Sequence, residues 1–384
     1  MSARAWPLAV ALAAAPFAVV LQNRTLAPLA LLGFAGVILV ALREGWRPSR
    51  PPALIWPGMA LLGWAALSAF WAPDAGRALE TVLRLAAPLA LAVLAADALR
   101  DAPLLPRAAA LGLALGSAAA LFDDLSGNAL RAAVRGLSEP PATLAFGLKN
   151  AASVIALLLP VAVFATGLPR LLRLALGVFG AMVALLLPGE SAKLAVLAGL
   201  SFGVLAGFAP GAARRMLGAG AALLILVLPW TLGAVLPRDA SGLPNSAAHR
   251  LLIWDFAAGR IAEKPLLGWG MESSRAIPGG AERADAATRA AFNLTAPFFA
   301  HAQLLPLHPH NLALQIWLEL GAMGAAITAL FLAMLGLACR TPASCGAFAA
   351  GLVIAMLSYG AWQYWWVCGL LLTAVALAGG RRAP

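Results

Sequence analysis

Long apolar runs are the feature that most constrains how this chain can fold. They recur along nearly all of its 384 residues, and most have the roughly 17 to 25 residues that a helix needs to cross a bilayer. Only 11% of the residues are charged, against roughly a quarter in soluble domains. The runs lack the apolar–polar alternation of a transmembrane β-barrel. The pattern predicts an all-α polytopic membrane protein, with residues 1–384 forming a single integral membrane domain.

The apolar pattern predicts about twelve transmembrane helices. We expect them at 7–21, 25–42, 53–71, 79–97, 106–122, 146–167, 171–188, 192–209, 216–236, 311–338, 344–358 and 361–379. The first run also has features of a secretory signal peptide, because Arg4 precedes an apolar stretch that ends in "AAAP". We favour its retention, since the topology described next needs this first span.

Basic residues in the connecting segments predict the orientation, because cytoplasmic loops carry an excess of Lys and Arg. With the N-terminus in the cytoplasm, the inside segments hold Arg4, Arg43, Arg47, Arg50, Arg100, Arg107, Arg170, Arg173, Arg214, Arg215, Arg340, Arg381 and Arg382. The short outside segments hold fewer, namely Arg24, Arg77, Arg131, Arg135 and Lys149. Both termini are therefore expected in the cytoplasm. The same distribution accounts for the net charge of +11 without a nucleic-acid partner.

Two outside segments are longer than a turn, at about 123–145 and at 237–310 between spans nine and ten. In the second, "RLLIWDFAAGRIAEKPLLGWG" has apolar residues at helical spacing and predicts a helix that stops before Pro265. A second short helix is predicted in "GGAERADAATRAAF". The expected result is a helical loop on the outer face of the membrane.

All four histidines, His249, His301, His308 and His310, fall in this loop or at its exit. His310 is expected at a helix start, where the helix dipole favours a neutral imidazole that can act as a general base. A helix-capping or interfacial histidine is the alternative. A zinc site from His301, His308 and His310 is disfavoured, because the usual ligand spacings are absent. We therefore expect no metal and no cofactor, and we read the three cysteines as buried small hydrophobes.

Two cations fall inside predicted spans, near their outer ends. Arg84 lies in span four and Lys193 in span eight. Charges within a membrane usually face a cavity or a partner. Arg84 could instead pair with Glu80, and Lys193 with Glu190, as neighbours on one helix face.

Further polar residues gather on the same side. Lys149 and Asn150 stand in "FGLKNAAS", after Arg131 and Arg135, and Arg250 begins the amphipathic helix of the long loop. Lys149 could be only an interfacial anchor. A cation at the position of Arg250 opposes the helix dipole, which favours a bound anion. The acidic pair at 123–124 could hold a metal-bound sugar nucleotide, but such a pair is more often a solvated turn.

Cations and a candidate base on the outer side suit transfer from a lipid-linked pyrophosphate. Fixed Arg and Lys groups can stabilise the charge of the leaving pyrophosphate, and a neutral histidine can accept the proton of a sugar hydroxyl. The sequence contains no P-loop, GxSxG or HExxH motif for ATP hydrolysis or zinc proteolysis.

Three stretches resemble the O-antigen ligase family. His310-Asn311, nine residues, Gly321, two residues and Gly324 match its His-[Asn/Ser/Gln]-x9-Gly-x-x-Gly motif. "RLLIWDFAAGRIAEKPLLGWG" is similar to its Arg…Trp…Pro-Leu-Leu-Gly-x-Gly segment, and "GLKNAASVIALLLP" to its Asn-bearing span after the fifth. We interpret Gly321 and Gly324 as positions of close helix packing.

The resemblance implies a C-type glycosyltransferase-like fold in the bacterial inner membrane. Such an enzyme transfers a glycan from undecaprenyl pyrophosphate to a lipid A-core sugar hydroxyl on the periplasmic side, without a metal and with inversion. It implies His310 as the base and Arg250 as an arginine that faces the pyrophosphate. Together with the candidates on the outer side, the predicted donor-binding cations are Arg250, Lys193, Arg84 and Lys149, and the predicted supporting residues are His308, Asn311, Asn150 and Arg135. The family usually has arginine where this chain has Lys193, so the bidentate fork is lost there.

Three other functions are compatible with parts of the sequence. An O-antigen polymerase and a protein O-oligosaccharyltransferase share the histidine motif. A transporter of lipid-linked sugars would explain the spans and the buried charges, but not the histidines. The compact chain with one large loop favours the ligase.

Overall fold

The computed structural model describes residues 3–99, 102–165, 167–237 and 239–379. In these ranges the protein is helical, and the only β-pairing is an isolated antiparallel bridge between Arg283 and Gln303. The helices are α1 (Trp6–Leu21), α2 (Leu26–Arg43), α3 (Ile55–Leu67), α4 (Ala75–Ala98), α5 (Leu104–Leu125), α6 (Ala129–Val134), α7 (Leu148–Val163), α8 (Arg170–Leu186), α9 (Glu190–Phe208), α10 (Pro210–Val235), α11 (Asn245–Glu263), α12 (Ala286–Ala291), α13 (Leu312–Ala338), α14 (Pro342–Leu357) and α15 (Tyr364–Gly379).

Each of the twelve predicted spans coincides with one of these helices. Within the described residues, eight are long and apolar enough to cross a membrane, namely α1, α2, α4, α5, α7, α9, α10 and α13. The apolar helices α3, α14 and α15 are shorter, and α8 has 17 residues. The multi-pass architecture is confirmed, whereas the count of twelve crossings stays a prediction.

Segments predicted on the cytoplasmic side meet at one end of the bundle. Arg4 pairs with Glu44, the Ser49 amide donates to the Asp97 carboxylate at 2.9 Å, and the amide of residue 102 donates to the carbonyl of residue 379 at 2.8 Å. These three contacts join segments for which the topology predicts the same side, and the orientation of the bundle in the membrane stays a prediction. Three arginines used to orient the chain, Arg100, Arg381 and Arg382, lie outside the described residues.

Glycines lie at the crossings of the three most extensive helix pairs, which are α10 with α13, α9 with α14 and α1 with α5. Gly218 lies against Gly336, and Gly199 against Gly346. A Cβ atom at Gly112 on α5 would lie 2.3 Å from a carbonyl oxygen of α1. Small residues at these crossings let the backbones approach, as is usual where helices associate in a membrane.

The long polar loop packs against α10 and α13. The predicted helices are present as α11 and α12, and Leu251, Leu252, Phe292 and Phe299 form its small core. The Trp254 indole donates to the carbonyl oxygen of residue 309 at 2.8 Å. This bond fixes α11 beside the chain that enters α13.

Candidate active site

Helix α13 is interrupted at Gly321, where φ is 64° and ψ is −163°. The break frees backbone groups that pair with the loop. The carbonyl oxygens of Leu318 and Glu319 each accept an amide of the 269–270 segment at 2.8 Å, and the amide of residue 322 donates to the carbonyl of residue 265 at 2.9 Å. A Cβ atom at Gly321 would lie 2.3 Å from the carbonyl oxygen of Leu266. The prediction of helix packing is therefore wrong for Gly321, because its close partner is the backbone of residues 266–268 in the long loop.

His310 stands immediately before α13 in an unusual backbone conformation. Its φ of 54° is in the left-handed region, which costs a non-glycine residue about 1 kcal/mol or more. Its amide donates to Nδ1 of His308 at 3.2 Å, and the two ring centroids are 4.1 Å apart. Asn311 begins the helix by accepting the Leu314 amide on Oδ1 at 3.1 Å. His308 thus fixes the backbone of His310 from the preceding segment, and Asn311 fixes the start of the helix that follows it.

One hydrogen bond fixes the tautomer of the His310 ring. Nδ1 lies 2.5 Å from the carbonyl oxygen of Ser358, and a carbonyl oxygen can only accept, so Nδ1 carries the proton. In the neutral ring Nε2 then has a free lone pair. This is the arrangement that a general base needs.

The surroundings keep His310 neutral. Burial lowers the pKa of His310, the bond to Ser358 opposes that change, and the charges of Arg250, His249 and Lys149 lower the pKa further. Arg250 and Lys149, the two cations among these neighbours, therefore lie close enough to act on the ring. A base that stays unprotonated at neutral pH follows from this arrangement.

His308 is held neutral more strongly. Burial lowers its pKa to about 3, and the charges of His310, Arg275 and Arg250 add to the effect. A neutral ring with an unprotonated Nδ1 can accept the His310 amide, so His308 supports the backbone of the base.

The turn between α14 and α15, residues 358–363, carries the Ser358 carbonyl, and no feature of the sequence indicates the role of this turn. The Tyr359 hydroxyl lies 3.0 Å from Oδ1 of Asn150 and 2.9 Å from Oγ of Ser153. Ser358 also contacts Ser191 at the start of α9 through their hydroxyls. Helices α7 and α9 therefore fix the carbonyl that selects the tautomer of His310.

Glu319 anchors the same turn from α13. Its fully buried carboxylate accepts from the Trp362 indole at 2.6 Å, the Ser274 hydroxyl at 2.5 Å, the Glu272 amide at 2.7 Å and the Gln315 side-chain amide at 3.0 Å. The Gln315 carbonyl oxygen in turn accepts the amide of residue 361 at 2.8 Å.

Glu319 and Gln315 went unnoticed in the sequence. The signal that could have found Glu319 is the one that singled out Arg84 and Lys193, an ionisable residue inside an apolar span. A cavity of 110 Å³ adjoins the network and is lined by His308, Gln315 and Glu319 among others.

Arg250 and Lys149 are the cations placed beside His310. Both are half-buried, burial lowers the pKa of Arg250, and neither has an acidic partner within the described residues. Lys149 lies over the ring of Phe146 at 4.9 Å. Partly buried cations without a carboxylate nearby favour binding of an anion.

The other predicted cations make local contacts. Arg84, 56% exposed, lies 3.3 Å from Glu80, and its guanidinium is 5.2 Å from the ring centroid of Tyr364. Lys193 lies 2.9 Å from Glu190. Both pairings are the alternatives that the spacing predicts.

A buried ion pair stabilises the segment between α5 and α7. Arg131 and Asp123 are almost fully buried and bonded at 2.5 Å. The Arg131 guanidinium also donates at 2.6 Å to the carbonyl of Leu144, in the turn that leads into α7 and Lys149. The solvated-turn interpretation of Asp123 is wrong, because its carboxylate is occupied by Arg131. Arg135 remains exposed and donates to the carbonyl of Leu21 at 3.4 Å.

His301 is exposed and stands apart from the His308–His310 pair. Across the described ranges, no group of three or more His, Cys, Asp or Glu side chains is placed to hold a metal ion. Cys339, Cys345 and Cys368 are buried.

Comparison with known proteins supports the motif assignment. Residues 143–329 match the family model described as O-antigen ligase. A protein of Rickettsia conorii named "putative polysaccharide ligase" is 36% identical over 157 residues, which are 37% of this chain and 35% of the relative. Proteins of the same name from Rickettsia typhi and Rickettsia prowazekii are 38% identical over 133 residues and 39% over 132, in each case 32% of this chain and 29% of the relative.

The chain thus spans about a third of the length of these curated relatives. The resemblance stated from the motifs is confirmed. The matched stretch includes Lys149, Lys193, Arg250, His310 and Glu319, whereas the 358–363 turn lies beyond it.

Proposed function

We propose that this chain, whose residues 143–329 match the O-antigen ligase family model, transfers a glycan from undecaprenyl pyrophosphate to a sugar hydroxyl of lipid A-core. The reaction takes place on the periplasmic side of the bacterial inner membrane, within a C-type glycosyltransferase-like fold. The observation that carries the proposal is a neutral His310 with a free Nε2, beside Arg250 and Lys149 that have no acidic partner in the described residues.

His310 acts as the general base. The acceptor hydroxyl gives its proton to Nε2 while its oxygen bonds to the anomeric carbon of the glycan. The bond from that carbon to the pyrophosphate breaks on the opposite face, so the anomeric centre inverts and undecaprenyl pyrophosphate leaves. The Ser358 carbonyl, which accepts from Nδ1, stabilises the imidazolium that forms, because a charged donor strengthens that bond.

Arg250 and Lys149 bind the pyrophosphate and stabilise the charge that develops as it leaves, so no metal is required. Lys193 and Arg84 are further donor-binding cations, each of which would exchange its glutamate partner for a phosphate oxygen. His308, Asn311 and Asn150 position the base and the 358–363 turn. Arg135 supports the outer end of α1.

Deletion of the gene tests the proposal at the level of the cell. Surface lipopolysaccharide resolved on a gel should lose all glycan-capped species, while undecaprenyl-linked polymer is retained. Re-expression of the wild-type chain is the control and should restore the caps. Single-repeat caps would instead identify a polymerase, and unchanged lipopolysaccharide would contradict lipid A-core as the acceptor.

The pH profile of transfer should report the lowered pKa of His310. We expect the acid limb of kcat/KM to lie below about 6.5, the ordinary value of histidine. Replacement Arg250→Gln removes a positive charge that lowers this pKa, so the limb should move to higher pH as the rate falls.

The control for this shift is Arg260→Gln on the same helix. Arg260 is paired with Glu263, so its replacement should leave the acid limb in place. A limb that stays unchanged or moves to lower pH in Arg250→Gln would contradict the placement of Arg250 beside the base.

A further inference from the structure

A second cavity opens on the loop that precedes α13. Its volume is 380 Å³, and its walls include His249, Arg283, Phe298, His301 and Gln303. None of the five is part of the donor cations or of the Glu319 network. Its lining combines a guanidinium, imidazoles and an aromatic ring, which is unlike the apolar surface of the bundle.

The cavity is built by tertiary contacts. The segments 280–284 and 302–305 run antiparallel, with the amide of residue 284 donating to the carbonyl of residue 302 at 3.0 Å and the amide of residue 304 donating to the carbonyl of residue 282 at 2.9 Å. Arg283 and Gln303 form the bridge between them. The His249 ring donates from Nε2 to the Gln303 carbonyl at 2.8 Å. These bonds fix the backbone that carries Arg283 and Gln303, and they position the His249 ring.

The chemistry of the walls selects a charged sugar. Arg283 and His301 are exposed, and neither has an acidic partner within the part of the chain that the structure describes. A free guanidinium suits bidentate binding of a carboxylate or phosphate. Phe298 is 47% exposed and offers an apolar face to the C–H side of a sugar ring. Gln303 donates to the carbonyl of residue 281 at 3.1 Å, which leaves its Oε1 to accept from a sugar hydroxyl.

The cavity adjoins the candidate active site. His249, which lines it, lies on α11, as does Trp254, whose indole donates at 2.8 Å to the carbonyl oxygen of residue 309, the neighbour of His310. The residue that follows His249 on α11, Arg250, belongs to the proposed donor cations. A ligand in the cavity would contact His249, the neighbour of Arg250 on α11.

We propose that this cavity binds an anionic sugar, phosphorylated or carboxylated, of the acceptor. The assignment of this sugar to the acceptor rests on the proposed function. The anionic-sugar site itself depends only on the lining of the cavity. Arg283 binds the anion, Phe298 packs on the ring, and His301 adds a second donor.

Binding to the full-length protein in detergent tests the site without catalysis. The probes are glucose 6-phosphate and glucuronate, with glucose and inorganic phosphate as comparisons, and the readout is titration calorimetry. We expect both charged sugars to bind saturably and at least about tenfold more weakly to Arg283→Gln, as expected for loss of a charge-assisted hydrogen bond. The control Arg289→Gln, on the neighbouring helix α12, should bind as the wild type does.

Three results would overturn the site: no saturable binding of either charged sugar, equal binding to Arg283→Gln, or inorganic phosphate binding as tightly as glucose 6-phosphate. The last would mean that the ring makes no contribution.

The acceptor assignment is tested by kinetics with extracted lipid A-core. Arg283→Gln should raise KM for this acceptor about tenfold, while kcat and the KM for the undecaprenyl-linked donor stay close to wild type. A raised donor KM instead would overturn the assignment to the acceptor. A wild-type protein that binds glucose 6-phosphate through Arg283 but transfers nothing would refute the proposed function and leave the anionic-sugar site standing.

Discussion

Replacement of His310 by alanine is expected to abolish glycan transfer. The substitution removes Nε2, the atom with the free lone pair, and general-base catalysis contributes about 10² to 10⁴ in rate. It also removes the Nδ1 bond to Ser358, but the 358–363 turn keeps its other anchors on α7, α9 and α13. The fold should therefore persist. The measurement is the initial rate of transfer to lipid A-core in membranes that contain matched amounts of wild-type and variant protein.

Two comparisons make the result specific. Affinity for the undecaprenyl-linked donor should be close to wild type in His310→Ala, because Arg250 and Lys149 remain. His308→Asn keeps an acceptor near the His310 amide and should lose only part of the rate. If His310→Ala retained more than about a tenth of the wild-type rate, the base would have to be another group.

Much of the fold could be predicted because hydrophobic length is a strong signal in a membrane chain. Every predicted span has a helix, and α11 ends at Glu263, just before Pro265. The meeting of Arg250, Lys149 and His310 could also be predicted, since topology places their segments at the same end of the bundle. The pairings of Arg84 and Lys193 with glutamates followed from their spacing on one helix face.

The features that the sequence did not reveal depend on backbone groups and on distant partners. The Ser358 carbonyl sets the tautomer of His310. Every residue has a backbone carbonyl, so the sequence cannot indicate which one contacts the histidine. Gly321 resembles a helix-packing glycine until its positive φ and its bonds to the 265–270 segment are seen. The burial of Asp123 depends on α6 folding back so that its Arg131 pairs with the end of α5, a tertiary contact that periodicity does not encode.

Replacement of Glu319 by alanine is expected to lower both stability and turnover, although Glu319 is separated from the proposed base by a full helical segment. The change leaves four donors in the structure without their acceptor, from Glu272, Ser274, Gln315 and Trp362. Each buried unsatisfied group costs about 1 to 3 kcal/mol, so a loss of about 3 kcal/mol or more in the free energy of unfolding is expected. The measurement is the thermal unfolding of the purified protein in detergent.

Turnover should fall because Glu319 positions the turn that holds His310. Without its bond to Trp362, the 358–363 turn loses an anchor, and a misplacement of about 1 Å in a catalytic group can cost about 10²-fold. We expect kcat at a permissive temperature to fall by about tenfold to a hundredfold, while donor affinity, set by Arg250 and Lys149, stays near wild type. Glu319→Gln retains one acceptor oxygen and should recover part of both properties.

The matched control is Glu282→Ala, an exposed glutamate in the long loop, which should leave unfolding and turnover unchanged. A purely structural role would give Glu319→Ala reduced stability with normal kcat for the protein that remains folded. A positioning role requires in addition that kcat falls and that the acid limb of the pH profile shifts, because the Ser358 carbonyl no longer supports the Nδ1 proton. Normal kcat and an unshifted acid limb in folded Glu319→Ala would therefore show that the Glu319 network does not position His310.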